Sequence, residues 1–252
     1  VRAHALASKA IKDSAPNSKV GVVLNLADQR SVGELTADEQ QEIALVDSYM
    51  NLWWLNGMLE GKYPKNLIEN FKSLTGISIN EDEIPDVSFG RDWLGVNYYA
   101  GQVFKGNGSG IGIFPGTKLI DGAPWGDEKT DIGWSWTPDG IKALLCRIHG
   151  MYPNLPIYIT ENGACYNVGP DSSGKVDDKK RQEYMALYIA SALDSLNEGV
   201  NLKGYYAWSL LDNFEWAWGF SMRFGIVYVD FENMQRVVKE SGNQYRELIT
   251  KS

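Results

Sequence analysis

The stretch IYITENG, at residues 157–163, decides the fold. Its first four side chains are apolar, aromatic or β-branched, which favours a strand buried on a pleated surface. Asn162 and Gly163 then give a turn signal, because both residue types tolerate positive φ angles. The pattern therefore predicts Glu161 at the carboxyl end of a buried strand, where barrels and open α/β sheets carry their chemistry. The alternative is a turn carboxylate that points to water.

A second glutamate follows a similar strand signal. Residues 204–216 (GYYAWSLLDNFEW) begin as a strand and end with Glu215 between aromatic side chains. Aromatic faces suit the C–H groups of a sugar ring, and carboxylates or amides suit its hydroxyls. Trp208 alone fits a Trp-rich core equally well. The pairing of Trp with Glu favours a sugar site, because an unpaired Glu is rarely buried.

Strand and helix signals alternate along the chain, which predicts parallel strands joined by crossover helices. Strands are predicted at residues 20–26, 92–98, 156–160 and 203–208. The length of 252 residues would suit a complete (β/α)₈ barrel of roughly 250 residues. Only four strand–helix units are found, however, and the remaining length lies in long connections. Four parallel strands cannot close a barrel, so both edges of the sheet are expected to stay open.

Several helix starts are predicted from capping residues. Asp38, with a Gln three residues later, resembles a capping box. Thr137 followed by Pro138 is typical of a helix that begins at the proline. Asp177 is expected to cap a long helix that reaches residue 197. Residues 224–230 are expected to form a hairpin-like segment, and a last helix is expected at about residues 241–250.

The overall composition excludes several classes of protein. The net charge of −8 argues against a nucleic-acid partner, since such proteins carry basic patches. No apolar run approaches the 18 residues of a membrane span, so no membrane partner is expected. A cytoplasmic location is favoured, with an N-terminal signal upstream of this sequence as the alternative.

Nothing in the sequence indicates a cofactor or a metal. The two cysteines, Cys146 and Cys165, do not make a disulfide framework, and the two histidines lack metal-ligand spacing. The Gly-rich run at residues 106–110 (GNGSG) lies in a long connection at residues 101–131 and is not followed by a Lys-Ser/Thr pair. A phosphate-binding loop is therefore not expected.

The chain resembles the family 1 glycoside hydrolases, the retaining β-glucosidase group. The resemblance rests on separate segments that follow one another in the order the family shows. They are VGVVLNL (20–26), LEGKYP (59–64), WLGVNYY (93–99), TDIGW (130–134), IYITENGA (157–164), YAWSLLDNFEW (206–216) and RFGIVYVD (223–230).

The resemblance implies an α/β fold, a (β/α)₈ TIM barrel, of which this chain supplies about the last four strand–helix units. Residues 1–252 would be the C-terminal half of one catalytic domain. Family members carry their general acid/base in an Asn-Glu-Pro segment after the fourth strand, and no Asn-Glu-Pro occurs here. The resemblance therefore implies a partner, the missing N-terminal half of the barrel.

The resemblance also implies an activity, the retaining hydrolysis of terminal β-D-glucosides, with β-galactosides or fucosides allowed. Glu161 matches the catalytic nucleophile. The residues that match the family's substrate-binding positions are Asn97, Tyr99, Trp134, Trp208, Glu215, Trp216 and Phe224. The peptide bond between Trp208 and Ser209 is expected to be cis. This chain alone is expected to be inactive, and a non-catalytic sugar-binding half-barrel or an inactive fragment is the alternative.

Overall fold

A computed structural model describes residues 1–105, 120–121 and 128–251. The predicted Gly-rich connection lies largely outside these residues. The helices are α1 (Arg2–Ser14), α2 (Ala37–Asp47), a π-helical turn (Ser48–Leu52), α3 (Trp53–Glu60), α4 (Lys65–Thr75), α5 (Pro138–Met151), α6 (Lys179–Asp194) and α7 (Glu240–Lys251). The strands are β1 (Val22–Asn25), β2 (Gln29–Val32), β3 (Leu94–Asn97), β4 (Gln102–Lys105), β5 (Ile120–Asp121), β6 (Ile157–Asn162), β7 (Leu202–Ala207), β8 (Val227–Val229) and β9 (Arg236–Val238).

The central feature is a four-stranded parallel sheet in the order β1-β3-β6-β7. Its strands are the four that the sequence predicts, and each is joined to the next through helices. Because all four run in the same direction, their carboxyl ends meet at one edge of the sheet. Two smaller sheets, β2-β4-β5 and β8-β9, lie outside it.

One face of the sheet is covered by helices and holds the hydrophobic core. Ile157 and Ile159 of β6 are fully buried and belong to one core cluster with Leu144 and Ile148 of α5 and Tyr188 of α6. Alternate residues of a strand point to opposite faces, so these isoleucines mark the helix-covered side. Burial of such side chains stabilises the half-sheet by roughly 1.5–3 kcal/mol each.

The opposite face of the sheet is open. A side-chain carbon placed on Gly95 would meet Val23 of β1 and Thr160 of β6, so these residues share that face. Val23 is 44% exposed, and Tyr206 of β7 is 57% exposed. In a closed barrel such residues fill the interior, whereas here they face solvent.

Three boundaries differ from the sequence-based predictions. Helix α2 is capped by Thr36 rather than Asp38, since the Thr36 side chain accepts a hydrogen bond from the Glu39 amide. Asp178, not Asp177, precedes α6, which ends at Asp194 and continues as a 3₁₀ turn. The predicted hairpin-like segment supplies only β8, which pairs in antiparallel fashion with β9 further along the chain.

Within the described ranges, no helix combines the length and the apolar character needed to cross a bilayer. Both cysteines are free thiols.

Candidate active site

Several polar and aromatic residues gather at the carboxyl edge of the parallel sheet. Asn97 ends β3, Glu161 lies near the end of β6, and Trp208 directly follows β7. Tyr99 follows β3 by two residues. This edge is where the sequence predicts the site, and the parallel pairing of β3, β6 and β7 brings the predicted residues together.

An irregularity in β6 lies directly before Glu161. Val96 pairs with Ile159, but Asn97 pairs with Glu161, so Thr160 is an extra residue opposite β3. Such a bulge redirects the side chains that follow it. Thr160 lies on the open face, and its hydroxyl donates a 2.7 Å hydrogen bond to Asn97 Oδ1. Because of the bulge, Glu161 and its neighbour Asn162 need not follow the simple alternation of the strand.

The Glu161 carboxylate has a direct hydrogen-bond donor. The Tyr99 hydroxyl donates to Glu161 Oε2 over 2.5 Å. Burial raises the pKa of Tyr99, and the hydrogen bond to Glu161 and the charges of Glu161 and Glu215 raise it further. Tyr99 therefore stays protonated at neutral pH and acts only as a hydrogen-bond donor to the carboxylate.

Three rings form an aromatic wall beside this pair. The Tyr99 and Trp134 ring centroids are 5.3 Å apart, and those of Trp134 and Phe224 are 5.8 Å apart. Tyr99 meets Phe224 edge to face at 6.2 Å. Phe224 is fully buried, whereas Tyr99 and Trp134 are only partly buried. The wall therefore combines one buried ring, that of Phe224, with two partly exposed rings that a ligand can reach.

Next to the wall lies a cleft of about 370 Å³. It is lined by residues from three parts of the chain, among them Asn25, Tyr99, Gln102, Lys129 and Trp134. Its lining mixes polar side chains with the exposed faces of the two aromatic rings. A pocket of this volume and character can accept a group of sugar size.

Glu215 and Trp208 form a second cluster near Glu161. Burial raises the pKa of Glu215, a hydrogen bond from the Trp208 side chain lowers it, and the charge of Glu161 raises it. The two carboxylates are thus close enough to repel each other. The peptide bond between Trp208 and Ser209 is cis, which confirms the expectation from the sequence.

Trp216 is far more exposed than the other predicted site residues. It opens the 3₁₀ turn Trp216–Trp218 after Glu215, with a φ of 43°, and its side chain is 82% exposed. Phe214 and Phe220 of the same loop are also more than half exposed. This loop, the aromatic loop, therefore presents the rings of Phe214, Trp216 and Phe220 to solvent.

A buried charge cluster anchors the start of the aromatic loop. Asp212 accepts hydrogen bonds from the Lys239 ammonium at 2.8 Å and from the Arg223 guanidinium at 2.7 Å. The amides of Gly225 and Val229 also donate to its carboxylate. Asp212 therefore ties the segment that follows β7 to β8 and to the start of α7. No local sequence signal identifies this cluster, because its members lie up to 27 residues apart.

The sequence analysis also missed a set of hydrogen-bonded residues next to Glu161, of which Asn162 and Tyr184 are buried and Tyr205 is partly buried. Asn162 and the tyrosines Tyr184 and Tyr205 are linked by hydrogen bonds immediately beneath the Tyr99–Glu161 pair. The sequence indicates a turn at Asn162 and a helix core position at Tyr184, so it does not predict that either residue supports Glu161. Across the described residues, no group of three or more His, Cys, Asp or Glu side chains is arranged to hold a metal ion.

Comparison with known proteins places this geometry in a family. The sequence profile of Glycosyl hydrolase family 1 matches residues 1–252. The chain is 36% identical over 249 residues to β-glucosidase A of Acetivibrio thermocellus, and this covers 98% of the chain and 54% of the relative. It is 33% identical over 254 residues to β-glucosidase A of Thermotoga maritima, where it covers 99% of the chain and 54% of the relative.

A solved structure shows the same architecture. The β-glucosidase from Thermotoga maritima in complex with deoxynojirimycin is 34% identical to the chain and superposes with a TM-score of 0.85. The match covers 98% of this chain and 54% of that structure. The chain thus spans about half the length of the relatives it matches. Its four parallel strands and their helices are units of the barrel fold that these β-glucosidases share, and the chain belongs to glycosyl hydrolase family 1.

Proposed function

We propose that residues 1–252 form the C-terminal half of a barrel that hydrolyses terminal β-D-glucosides with retention of configuration. The observation that carries this proposal is the Glu161 carboxylate, held at the carboxyl edge of the sheet by a 2.5 Å hydrogen bond from Tyr99. A nucleophilic carboxylate must be held in a fixed position, and the Tyr99 hydroxyl is a direct donor that holds it there.

In the first step Glu161 attacks the anomeric carbon, and a covalent glycosyl–enzyme ester forms as the glycosidic C–O bond breaks. The departing oxygen takes a proton from a second carboxylic acid. In the second step that carboxylate removes a proton from water, and the water oxygen displaces Glu161. Retaining enzymes hold the two carboxyl groups about 5–5.5 Å apart. The second group would come from an Asn-Glu-Pro segment outside these residues.

The remaining site residues are proposed to bind the sugar. Trp208 would form the floor beneath the ring, and Glu215 would accept hydrogen bonds from hydroxyls remote from the scissile bond. The Asn97 oxygen already accepts from Thr160, so its NH₂ group is the part available to a sugar hydroxyl. Trp216 would donate its indole N–H to a hydroxyl.

The leaving group is proposed to lie against the aromatic wall. Trp134 would contact it, and Phe224 would form the apolar base. The cleft supports this arrangement, because both Trp134 and Tyr99 line it.

The charge of Glu215 restricts the class of substrate. A phosphorylated sugar would bring a dianion to contact distance of this carboxylate, and the two charges would repel. Neutral glucosides and oligosaccharides are therefore the proposed substrates, with galactosides and fucosides also allowed.

The proposed partner is the N-terminal half of the barrel. The open face carries Val23 and Tyr206, and the aromatic loop carries Phe214 and Trp216, all of them more than two-fifths exposed. Large exposed apolar patches mark interaction surfaces. Four further strands would cover this face, close both edges of the sheet and bring the missing acid/base opposite Glu161.

One alternative function has support from the sequence. Without an Asn-Glu-Pro segment, these residues could serve as a non-catalytic sugar-binding half-barrel, since the Trp208–Glu215 cluster does not depend on that segment. The upstream reading frame separates the two: an Asn-Glu-Pro segment shortly before Val1 favours the enzyme.

A mechanism-based inhibitor tests the proposed nucleophile. A 2-deoxy-2-fluoro glucoside with a good leaving group should inactivate the complete protein and leave a label on Glu161, as found by peptide mapping. Glu161→Gln should abolish labelling and nearly all turnover while glucoside binding persists, because the lost interaction belongs to the transition state. A label on Glu215, or inactivation with no label, would contradict the assignment.

A further inference from the structure

The hydroxyl of Tyr184 on α6 links the end of β6, which carries the candidate nucleophile, to the segment after β3, which carries its donor Tyr99. It donates a 2.8 Å hydrogen bond to the backbone carbonyl of Tyr99. It also accepts a 3.2 Å hydrogen bond from the side-chain NH₂ of Asn162, the residue after Glu161. One fully buried hydroxyl therefore contacts the immediate surroundings of both members of the Tyr99–Glu161 pair.

The Asn162 side chain completes a closed set of contacts. Its NH₂ group also donates to the carbonyl of Tyr98 over 2.7 Å. Its oxygen accepts a 2.6 Å hydrogen bond from the Tyr205 hydroxyl, which determines the orientation of the amide. The Tyr98 amide donates to the Glu161 carbonyl over 2.9 Å. The ends of β3 and β6 are thus joined by backbone and side-chain hydrogen bonds directly beneath the site.

We propose that Tyr184 is a positioning residue: its hydroxyl holds the Tyr99 backbone and the Asn162 side chain in register, so that the Tyr99 hydroxyl stays against Glu161. This inference rests on the proposed function, because it assigns Tyr184 a part in presenting the nucleophile. Tyr184 itself is buried and acts only through Tyr99 and Asn162.

Two observations indicate that the hydroxyl, rather than the ring, performs this role. The ring is held independently: it stacks on Tyr188 with centroids 3.9 Å apart and meets Trp136 edge to face at 5.7 Å. Burial raises the pKa of Tyr184 well above its ordinary value, so the hydroxyl remains a neutral donor. Tyr184→Phe would keep both ring contacts and remove only the hydroxyl, with its bonds to Tyr99 and Asn162 and its side-chain hydrogen bond with Tyr188.

The bulge at Thr160 makes such support necessary. At this point β6 no longer follows the regular register with β3 or β7, so the ladder alone does not determine the direction of Glu161. Side-chain hydrogen bonds from a rigid helix supply the missing constraint. Sites whose supporting contacts are loose by about 1 Å lose much of their activity.

The test compares Tyr184→Phe with Tyr245→Phe in the complete protein. Tyr245 on α7 offers a matched control, because its hydroxyl also donates to a strand carbonyl, that of Tyr205, over 2.9 Å. Tyr184→Phe loses its hydrogen bonds to Tyr99 and from Asn162, whereas Tyr245→Phe loses one to the Tyr205 backbone, and only Tyr184 contacts a neighbour of Glu161 directly. Tyr245→Phe reports the effect of a lost structural hydrogen bond alone.

The Tyr184→Phe variant should lose about 10-fold to 100-fold in kcat/KM for a β-glucoside, and fluoro-sugar inactivation should slow similarly. The loss should fall mainly on kcat, with KM within about 2-fold of the parent, because a misplaced Glu161 weakens the transition state more than ground-state binding. The Tyr245→Phe variant should lie within about 2-fold of the parent in both kcat and KM. Equal changes in kcat for the two variants would overturn the proposal.

A crystal structure of Tyr184→Phe gives a measurement that needs no turnover. The distance from the Tyr99 hydroxyl to Glu161 Oε2 should lengthen from 2.5 Å, and an unchanged distance would refute the role of Tyr184. If the complete parent protein hydrolyses no glucoside, the proposed function fails, and this distance alone decides the present inference. If Tyr184→Phe does not fold, Tyr205→Phe replaces it, since it removes the hydrogen bond to the Asn162 oxygen and should lower kcat in the same way.

Discussion

At the scale of single residues, the two glutamates differ in their partners. Glu161 accepts a hydrogen bond from the partly buried Tyr99 hydroxyl, and Glu215 lies beside the Trp208 indole, where burial raises its pKa. One carboxylate therefore has a phenol as its donor, and the other has an indole. This difference supports separate roles in bond cleavage and in sugar recognition.

Glu215→Ser should therefore weaken sugar recognition without removing the chemistry. We expect kcat/KM for a glucoside to fall by the equivalent of about 2–4 kcal/mol, as for the loss of hydrogen bonds to a charged group. The measurement is steady-state kinetics of the complete protein. Saturating 2-deoxy-2-fluoro glucoside should still label Glu161 in this variant, and failure to label would mean that the two roles are reversed.

At the scale of elements, helix starts depend on short-range hydrogen bonds. The sequence predicts Asp38 as the cap of α2, but Thr36 performs this role. The Thr36 hydroxyl accepts from the Glu39 amide over 3.3 Å, and the Thr36 amide donates to the Glu39 carboxylate over 2.9 Å. Two capping patterns overlap in this stretch, so the composition alone does not separate them. Asp38 instead lies in the first turn, where its charge favours the helix dipole.

Replacing each residue separately tests the location of this cap. Thr36→Ala should destabilise the protein by about 0.5–2 kcal/mol, because the Glu39 amide loses its partner. Asp38→Ala should cost about 0.3–1 kcal/mol, because it removes only a charge near the helix start. Chemical denaturation measures both costs. Hydrogen exchange at the Glu39 amide distinguishes them, since it should accelerate in Thr36→Ala alone, and acceleration in Asp38→Ala would assign the cap to Asp38.

At the scale of the whole molecule, the open sheet is the dominant feature. One face carries the core under α5 and α6, whereas the other exposes Val23 and Tyr206. The candidate nucleophile lies at the edge of this sheet, so its surroundings are complete on one side only. The relatives that the chain matches are nearly twice as long, since it covers 54% of their length.

These 252 residues alone should therefore not hydrolyse an alkyl β-glucoside. Proton donation to the leaving oxygen contributes about 10²–10⁴-fold, and an alkyl group leaves poorly without it. Adding the N-terminal half should restore turnover, with a rate that depends on the concentrations of both pieces. The assay compares the purified chain, the complementary half and their mixture. Substantial turnover by the chain alone would contradict the expectation.

The sequence by itself determined the four parallel strands and the edge of the sheet where the candidate site residues lie. The four parallel strands, the helix beginning at Pro138 and the position of Glu161 near a strand end all follow from patterns within a few residues. Such features depend on side chains that are close along the chain, so local propensity and spacing are sufficient to predict them. The segment that supplies β8 was located in the same way, but its partner strand β9 was not.

Only the tertiary structure decided how the site is supported. The bulge at Thr160 is a relation between strands, and it interrupts the alternation of side chains before Glu161 without any signal in the sequence of β6. Tyr184 lies 85 residues from Tyr99, whose carbonyl accepts its hydrogen bond, and Lys239 lies 27 residues from Asp212. The sequence predicts that a tyrosine such as Tyr184 lies on the buried face of a helix, but not whether its hydroxyl binds the end of a strand. Those contacts are set by the pairing and packing of distant elements, which no local pattern contains.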